Sequence, residues 1–261
     1  SSYNKPFSEA SWHSSSEVLD SVLYIPHFIL RYISNCGYCP HTFFSGSAHQ
    51  YQPSEHHLTS VTESTIANPR NEYGLYKYQL RLACCYYRLN YGLPISFGIL
   101  FNHDSIYRPS NYLLPRLISA VCSSFALTDV DPFLSFISGF KCNFAFYLSD
   151  ARDICFDIYT ILSKGLYGDF VLSSGHLVSF YELCCICIDE VYGYLCGSRL
   201  LFCQLRSLLE DHFIGEPSSI NIAGLIGDNS KISSVYYRSP RSPRELIASM
   251  IPSITPKPSR I

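Results

Sequence analysis

Tyr73-Gly-Leu-Tyr-Lys77 is the stretch that decides the fold and the chemistry of this chain, because it brings two reactive side chains to the start of a predicted helix over Glu72–Asn90. Tyr73 and Lys77 are four residues apart and therefore share one face of that helix. A nearby ammonium stabilises a phenolate, so we expect Lys77 to lower the pKa of Tyr73 towards neutral pH. Tyr73 is then a candidate general acid or base for a substrate hydroxyl.

Strands and helices alternate on both sides of this helix. His41–Ser47 favours a short buried strand that enters a loop, and Ile95–Phe101 favours a second one. Such alternation is typical of a layered α/β domain with a mostly parallel sheet. The sequence also predicts helices over Glu17–Ile33, Tyr112–Ser124 and Ser179–Tyr194, a strand over Asp169–Ser173, loops over Tyr51–Asn71 and Asn102–Asn111, and a loosely packed tail from Ser233.

Polar motifs follow both predicted strands. Ser45-Gly-Ser-Ala-His-Gln-Tyr51 comes after the first strand, and Asn102-His-Asp-Ser105 comes after the second. Ligands of doubly wound folds bind at the carboxyl ends of the strands. We therefore expect these two motifs and the start of the helix at Tyr73 to converge on one crevice.

Charge and hydropathy narrow the class of protein. The 261 residues are 47% hydrophobic, enough for a sizeable core, and the formal net charge of −2 predicts no bulk attraction to nucleic acid or to an anionic membrane. The apolar stretches Val22–Ile33 and Val178–Cys203 contain polar or charged residues, so neither predicts a membrane span. The polar start at Ser1 does not resemble a secretory signal. These features favour a cytoplasmic protein.

Twelve cysteines include two Cys-x-x-Cys spacings, Cys36–Cys39 and Cys184–Cys187. Paired motifs of this kind can hold zinc. Here they lie far apart in the sequence, and the second falls in a helical pattern. Since a chain of this length does not need disulfides for stability, we expect reduced and mostly buried thiols rather than zinc or disulfides.

A family resemblance rests on four stretches between Tyr51 and Ser124, which are QPSEHH, NPRNEYGLYKYQ, YGLPISFGILFNHDS and RPSNYLLPRLISAVCS. They resemble the GDP-mannose 4,6-dehydratase branch of the extended short-chain dehydrogenase/reductase (NAD-dependent epimerase/dehydratase) family. The similarity runs from near Ser1 to about Arg238. It implies an α/β fold: a partial Rossmann-like parallel sheet with helices on both faces and a small C-terminal substrate lobe. Residues 1–125 would form the C-terminal part of the NAD(P)-binding domain, and residues 126–261 a mixed substrate-binding lobe and tail, with some segments returning to the main domain.

The resemblance also implies roles for individual residues and a homo-oligomeric enzyme. The implied catalytic residues are Ser47, Tyr73, Lys77 and His49; the implied cofactor contacts are Tyr73, Lys77, His103 and Arg108; and the implied substrate contacts are Ser47, Asn102 and Arg116. The implied reaction on GDP-mannose is an internal redox cycle. NAD or NADP takes a hydride from sugar C4, a base removes the proton at C5, water leaves C6, and the hydride returns to C6.

Three departures from the family keep other functions open. His49 stands where the dehydratases have the glutamate that acts as C5 base, and Tyr107 replaces the first arginine of an Arg-Arg pair that ends at Arg108. The sequence also contains no Gly-x-x-Gly-x-x-Gly or Gly-x-Gly-x-x-Gly loop, which suggests an N-terminally truncated chain without its main cofactor cradle. A sugar epimerase or reductase of the same family, and a non-catalytic protein that binds a nucleotide sugar or a partner subunit, are the alternatives.

Two weaker patterns can be explained without a functional site. Glu55, His56 and His57 lie near His49 in the sequence, but without the helical spacing of a metal-binding motif, and we predict no metal site. The cluster Arg238–Arg244 (RSPRSPR) could bind phosphate or be phosphorylated at serine, and a solvated tail is the favoured interpretation.

Overall fold

The computed structural model describes residues 19–52, 58–140, 144–213 and 224–255, and helices and strands alternate through most of them. The helices are α1 (Ile25–Asn35, preceded by a π-helical turn at Asp20–Tyr24), α2 (Glu72–Tyr91), α3 (Leu113–Leu127), α4 (Asp131–Ile137), α5 (Ala151–Ser163), α6 (Phe180–Leu195), α7 (Arg199–Phe213), α8 (Ser230–Ser233) and α9 (Pro243–Ile254). The strands are β1 (Thr42–Ser45), β2 (Leu58–Val61), β3 (Ile95–Leu100), β4 (His103–Asp104), β5 (Ala145–Tyr147), β6 (Ser149–Asp150), β7 (Gly168–Leu172), β8 (Leu177–Ser179) and β9 (Gly224–Gly227). In these ranges, each helix is too short or too polar to cross a bilayer.

The main sheet is parallel, with strand order β1-β3-β7. Thr42 pairs with Ile95, and Ser96 pairs with Gly168. Three two-stranded sheets accompany it: β2-β9 and β4-β6 are parallel, and β5-β8 is antiparallel. The predicted α/β class with a Rossmann-like parallel sheet is therefore confirmed.

Helices cover both faces of the main sheet. Phe97 and Val171 belong to a buried cluster shared with α1 and α2, whereas Phe170 and Leu172 belong to another cluster shared with α5. Neighbouring residues of one strand point to opposite faces, so the two clusters lie on opposite sides of the sheet. A third buried cluster unites α3, α4, α6, α7 and α9.

The helix α2 has clear start and stop signals. The side chain of Asn71 accepts a hydrogen bond from the backbone N–H of Gly74 at 2.7 Å, which satisfies a donor of the first turn. Gly92 ends the helix with a φ of +64°, a conformation that favours glycine. These two residues fix the position of Tyr73 and Lys77 along the helix.

Both predicted loops contain short strands, which corrects the sequence prediction. Strand β2 lies inside the predicted loop Tyr51–Asn71, and β4 lies inside the predicted loop Asn102–Asn111. Each is stabilised by a partner far away in the sequence, since β2 pairs with β9 and β4 pairs with β6. Local hydrophobic periodicity does not reveal such pairing.

The prediction of a loosely packed tail from Ser233 is also wrong. Ser242 and Glu245 form a capping box that starts α9, and Leu246 and Ile247 on that helix are almost fully buried. The helix packs against α6 and α3 in the third buried cluster. Apolar residues on one face, rather than the Pro-rich composition before them, decide its structure.

The arginine cluster is not a solvated tail. Arg238 pairs with Asp153 at 2.8 Å and with Asp157 at 3.1 Å, and Arg241 also pairs with Asp153. The two aspartates are four residues apart on α5 and are both buried. A buried carboxylate needs a partner, and these arginines provide it.

The cysteines that the structure describes are free thiols, but fewer are buried than expected. Cys84, Cys122, Cys184 and Cys187 are buried, and burial raises the pKa of Cys84 to about 12. The exposed thiols are those of Cys36, Cys39, Cys155, Cys196 and Cys203. The first Cys-x-x-Cys pair therefore lies on the surface, because it falls in the turn after α1 and not in a packed helix.

The packing of α9 gives a testable expectation. Leu246→Ala should lower the free energy of unfolding by about 2–5 kcal/mol, since it removes a side chain that is 1% exposed. Leu89→Ala is the matched control, because Leu89 is 79% exposed on α2 and should change stability by no more than about 0.5 kcal/mol. Urea unfolding followed by circular dichroism measures both. Equal effects would mean that α9 does not pack as described.

Candidate active site

The loop after β1 presses directly against β3. Gly46 donates its backbone N–H to the carbonyl of Gly98 at 2.6 Å. A Cβ at Gly46 would lie 2.4 Å from the ring of Phe97, so the close approach requires glycine. The next residue, Ser47, is buried at the carboxyl end of β1.

A buried glutamine fixes the backbone of this loop. Gln50 is fully buried, and its side-chain amide donates to the carbonyl of Ser47 at 2.9 Å. The carbonyl of Gln50 accepts from the backbone N–H of Asn68 at 2.9 Å. The Ser47 hydroxyl oxygen also accepts from the backbone N–H of His49 at 3.2 Å. These bonds hold a short 3-10 helix, Ala48–Gln50, in one conformation.

Helix α2 begins against this loop. A Cβ at Gly74 would lie 2.0 Å from the carbonyl oxygen of His49, so the first turn of the helix touches the loop backbone. This contact brings the Tyr73 side chain into hydrogen-bonding contact with Ser47. The ring of His49 packs edge-on against the ring of Tyr73, with 5.7 Å between centroids, and Nδ2 of Asn71 lies 3.5 Å from Nδ1 of His49.

Lys77 lies buried one turn further along α2. Its Nζ donates to the carbonyl of Ser45 at 2.7 Å and lies 5.6 Å from the centroid of the Tyr73 ring. Burial lowers the pKa of Lys77 to about 8. The structure thus brings Ser47, Tyr73 and Lys77 together at the end of one strand, as the sequence analysis expected.

The expected effect of Lys77 on Tyr73 is wrong. Burial raises the pKa of Tyr73, and the hydrogen bond with Ser47 only partly offsets that rise. Lys77 directs its ammonium towards the carbonyl of Ser45 rather than towards the phenol. His49 is an exposed residue, and the desolvation that its surroundings still cause lowers the pKa of its imidazole, which favours the neutral form.

A second group of polar residues follows β3. Nδ1 of His103 lies 2.8 Å from the carbonyl oxygen of Phe101, and burial lowers the pKa of His103. Burial raises the pKa of Asp104 to about 6, although the Arg108 guanidinium, 3.6 Å away, opposes this. The Arg108 guanidinium also stacks 3.8 Å from the ring centroid of Tyr112.

Tyr112 connects this second group to the first. It lies close enough to Tyr73 that its phenol contributes to the raised pKa of Tyr73. Arg108, a predicted cofactor contact, is therefore connected to the Ser47–Tyr73 pair through a single residue, Tyr112. His103 and Arg108 both approach Asp104, since His103 precedes it in β4 and Arg108 pairs with it.

The predicted substrate contacts are more dispersed. Arg116 lies exposed on α3, and together with Arg108 it lines a cleft of about 550 Å³ between α3 and α9. Ser253 and Ile254 of α9 complete one side of that cleft. The side chain of Asn102 is exposed, and only its backbone carbonyl has a described contact, accepting from Ser149 at 2.9 Å.

Gln50, Asp104 and Tyr112 were not predicted from the sequence as site residues. Gln50 is one residue from His49 and Asp104 follows His103, so proximity to other candidates was their signal. Tyr112 had no signal, because its stacking on Arg108 depends on the tertiary fold. Glu55, His56 and His57 lie outside the residues that the structure describes. The described part of the chain contains no group of three metal-binding side chains.

Comparisons with known proteins bear on the family and the fold of this chain. Residues 7–201 match the sequence profile of the family described as GDP-mannose 4,6 dehydratase. No curated protein matches the sequence.

Solved structures show the same fold at low sequence identity. RMD from Pseudomonas aeruginosa, in complex with NADPH, is 13% identical with a TM-score of 0.70, and the alignment covers 97% of this chain and 79% of that one. The dTDP-glucose 4,6-dehydratase DesIV from Streptomyces venezuelae, with NAD and TYD bound, is 15% identical with a TM-score of 0.65, covering 97% and 71%. UDP-glucuronic acid 4-epimerase from Bacillus cereus, in complex with UDP-glucuronic acid and NAD, is 14% identical with a TM-score of 0.64, covering 90% and 68%.

The close approach at Gly74 predicts that adding one methyl group at this position lowers the stability of the protein. Gly74→Ala should lower the free energy of unfolding by about 1–3 kcal/mol, since the new Cβ meets a backbone oxygen that cannot move aside. Gly193→Ala is the matched control, because a Cβ there meets nothing within 4 Å and alanine favours helix α6, which should gain up to about 1 kcal/mol. Chemical denaturation of both variants compares them. A neutral Gly74→Ala variant would contradict the described contact.

The buried ammonium of Lys77 predicts a pH dependence of stability. Its pKa falls from 10.5 to about 8 on folding, so between these pH values the unfolded chain binds more protons than the folded one. Stability should therefore rise with pH in this window. Lys77→Met should remove that part of the slope, as urea unfolding at several pH values would show. Identical slopes in both proteins would mean that Lys77 is not buried.

Proposed function

We propose that this chain, which belongs to the GDP-mannose 4,6-dehydratase family, binds a nucleotide sugar and NAD or NADP. It then oxidises the sugar at C4. The observation that carries this proposal is the contact between Ser47 and Tyr73 with Lys77 buried beside them. A hydroxyl group placed between the first two residues would meet a hydrogen-bond partner and a proton acceptor at once.

Tyr73 would take the proton of the C4 hydroxyl. Burial keeps this phenol protonated in the free chain, so the phenolate needs a positive charge nearby when the substrate is bound. Below pH 8, Lys77 carries that charge 5.6 Å from the ring. Ser47 would orient the C4 oxygen by a hydrogen bond, while Gln50 holds the Ser47 backbone in place.

The residues present fit one end of a dinucleotide. Lys77 has three N–H donors, one of which reaches Ser45, and a cofactor ribose would take others. Nε of Arg108 has no hydrogen-bond partner among the described residues, although it lies 3.6 Å from Asp104 Oδ1, and the guanidinium has further donors that suit a phosphate oxygen. His103 lies beside Asp104 in the same segment and would contribute to this contact. When bound, NAD or NADP supplies the acceptor for the hydride from C4.

We assign the proton transfer at C5 to His49, which makes the chain a dehydratase. The imidazole packs against the Tyr73 ring and its lowered pKa favours the neutral form, as a base requires. GDP-mannose is the substrate that the family suggests. Arg116, in the cleft that also holds Arg108, would contact its nucleotide part, and Asn102 would contact the substrate from its exposed position after β3.

A 4-epimerase is the second candidate function. The observation that favours it is that His49 stands where the dehydratases have the glutamate that acts as C5 base. Oxidation at C4 uses the same Ser47, Tyr73 and Lys77 in both activities. The product therefore decides between them: a 4-keto-6-deoxy sugar indicates a dehydratase, whereas a C4 epimer indicates an epimerase.

Replacing the phenol tests the oxidation step. With GDP-mannose and either NAD or NADP, Tyr73→Phe should reduce the rate of product formation by about 10²–10⁴-fold, since it removes the general base. Tyr86→Phe is the matched control on the same helix, because Tyr86 is exposed and should keep the full rate. Mass spectrometry of the sugar product measures both. Binding of cofactor and sugar without turnover by the unmodified chain would refute the enzymatic proposal and favour a non-catalytic binding protein.

Replacing the imidazole tests the elimination step. His49→Gln should abolish release of water from C6 while C4 oxidation continues, because glutamine cannot remove the C5 proton. Accumulation of a 4-keto sugar that retains its C6 hydroxyl, seen by mass spectrometry, is the expected result. Unchanged dehydration in this variant would show that another group removes the C5 proton.

A further inference from the structure

Two exposed thiols lie in the turn between α1 and β1. Cys36 is the residue that follows the last residue of α1, and Cys39 lies three residues before β1 begins. Both side chains are exposed and both are free thiols. Neither belongs to the group around Ser47 and Tyr73, so they have no place in the proposed reaction.

The turn holds the Cys36 sulfur close to Cys39. Sγ of Cys36 lies 3.2 Å from the carbonyl oxygen of Tyr38, which belongs to the peptide bond that leads into Cys39, and 3.4 Å from the carbonyl oxygen of Ile33 in α1. Gly37 adopts a φ of +66°, a left-handed conformation, at a bend of the chain. A Cβ at Gly37 would meet nothing within 4 Å, so this side of the turn is open to a small reagent. A disulfide requires Cα atoms about 4.4–6.8 Å apart, a separation that Cys36 and Cys39 would have to reach to form one.

A metal site at this turn lacks ligands. Within the ranges that the structure describes, no group of three His, Cys, Asp or Glu side chains is arranged to hold a metal ion. The nearest histidine in the sequence, His41, has its Nε2 2.9 Å from the hydroxyl oxygen of Ser96. Two neighbouring thiols without further ligands are suited to oxidation rather than to metal binding.

We propose that Cys36 and Cys39 form a reversible dithiol–disulfide site that reacts with low-molecular-weight disulfides. One cysteine, as its thiolate, attacks a sulfur of the small disulfide; the small disulfide's S–S bond breaks, a mixed disulfide forms, and one small thiolate leaves and takes up a proton. The second cysteine loses its proton and attacks the protein sulfur of the mixed disulfide, which releases the second small thiol. Two protein thiols are oxidised to one disulfide, and the small disulfide is reduced to two thiols.

The consequence of this reaction is local. The ring encloses only Gly37 and Tyr38, so the chain-entropy gain is small compared with that of a long loop. The bond would instead stiffen the link that joins α1 to β1. Cys155 serves as an internal control, since it is also exposed but has no second cysteine within three residues.

The test treats the full chain with oxidised glutathione and maps the products by peptide mass spectrometry. The expected result is that the peptide with Cys36 and Cys39 loses two hydrogen atoms and carries no glutathione, whereas Cys155 gains one glutathione. Dithiothreitol should reverse both changes. Glutathione on Cys36 and Cys39 separately, or two unmodified thiols at that turn while Cys155 reacts, would overturn the proposal.

Single substitutions trap the intermediate. In Cys36→Ser and in Cys39→Ser the remaining cysteine should keep a bound glutathione, because the thiol that would displace it is gone. The exposed position of both residues makes these variants compatible with folding, which circular dichroism checks. If the remaining cysteine of a single variant is instead found cross-linked to a peptide from elsewhere in the chain, another cysteine is its partner and the assignment is wrong.

Discussion

The contact between the first turn of α2 and the loop after β1 is the constraint on which the candidate site depends. The loop carbonyl of His49 occupies the space that a side chain at Gly74 would need. Because helix and loop touch here, Tyr73 reaches Ser47, and Lys77 reaches the carbonyl of Ser45 one turn further on. Gly46 allows the corresponding close approach between the loop and β3. Gly46 and Gly74 thus allow the backbone of the loop after β1 to contact both β3 and α2 at the site.

Burial then sets the electrostatics of the same residues. It raises the pKa of Tyr73 and lowers that of Lys77, so it favours the neutral form of both. A phenolate and an ammonium side by side would offset part of each other's desolvation cost, whereas either charge alone would not. We infer that Tyr73 becomes a phenolate beside the Lys77 ammonium when a bound ligand adds further hydrogen bonds. Below pH 8 the free chain therefore rests with a neutral Tyr73 phenol beside a Lys77 ammonium.

Local patterns were enough to predict the elements that carry the site. The helix from Glu72 and the strand from Ile95 follow from capping residues and an apolar run, and the structure confirms both. Strand β2 and helix α9 were not predicted, because the first depends on pairing with β9 and the second on a distant apolar surface. The direction of the Tyr73 pKa shift was wrong for a similar reason, since burial depends on everything that surrounds the ring and not on Lys77 alone.

The hydrogen bond between Ser47 and Tyr73 is the most direct test of the account, since it joins the strand end to the helix start. Its strength can be measured from the titration of Tyr73 by nuclear magnetic resonance, with tyrosines labelled at the ring carbon that carries the hydroxyl. The bond lowers the pKa of Tyr73 against the larger effect of burial, so Ser47→Ala should move the Tyr73 midpoint to higher pH. A Tyr73 midpoint that is the same with and without the Ser47 hydroxyl would contradict the shared site.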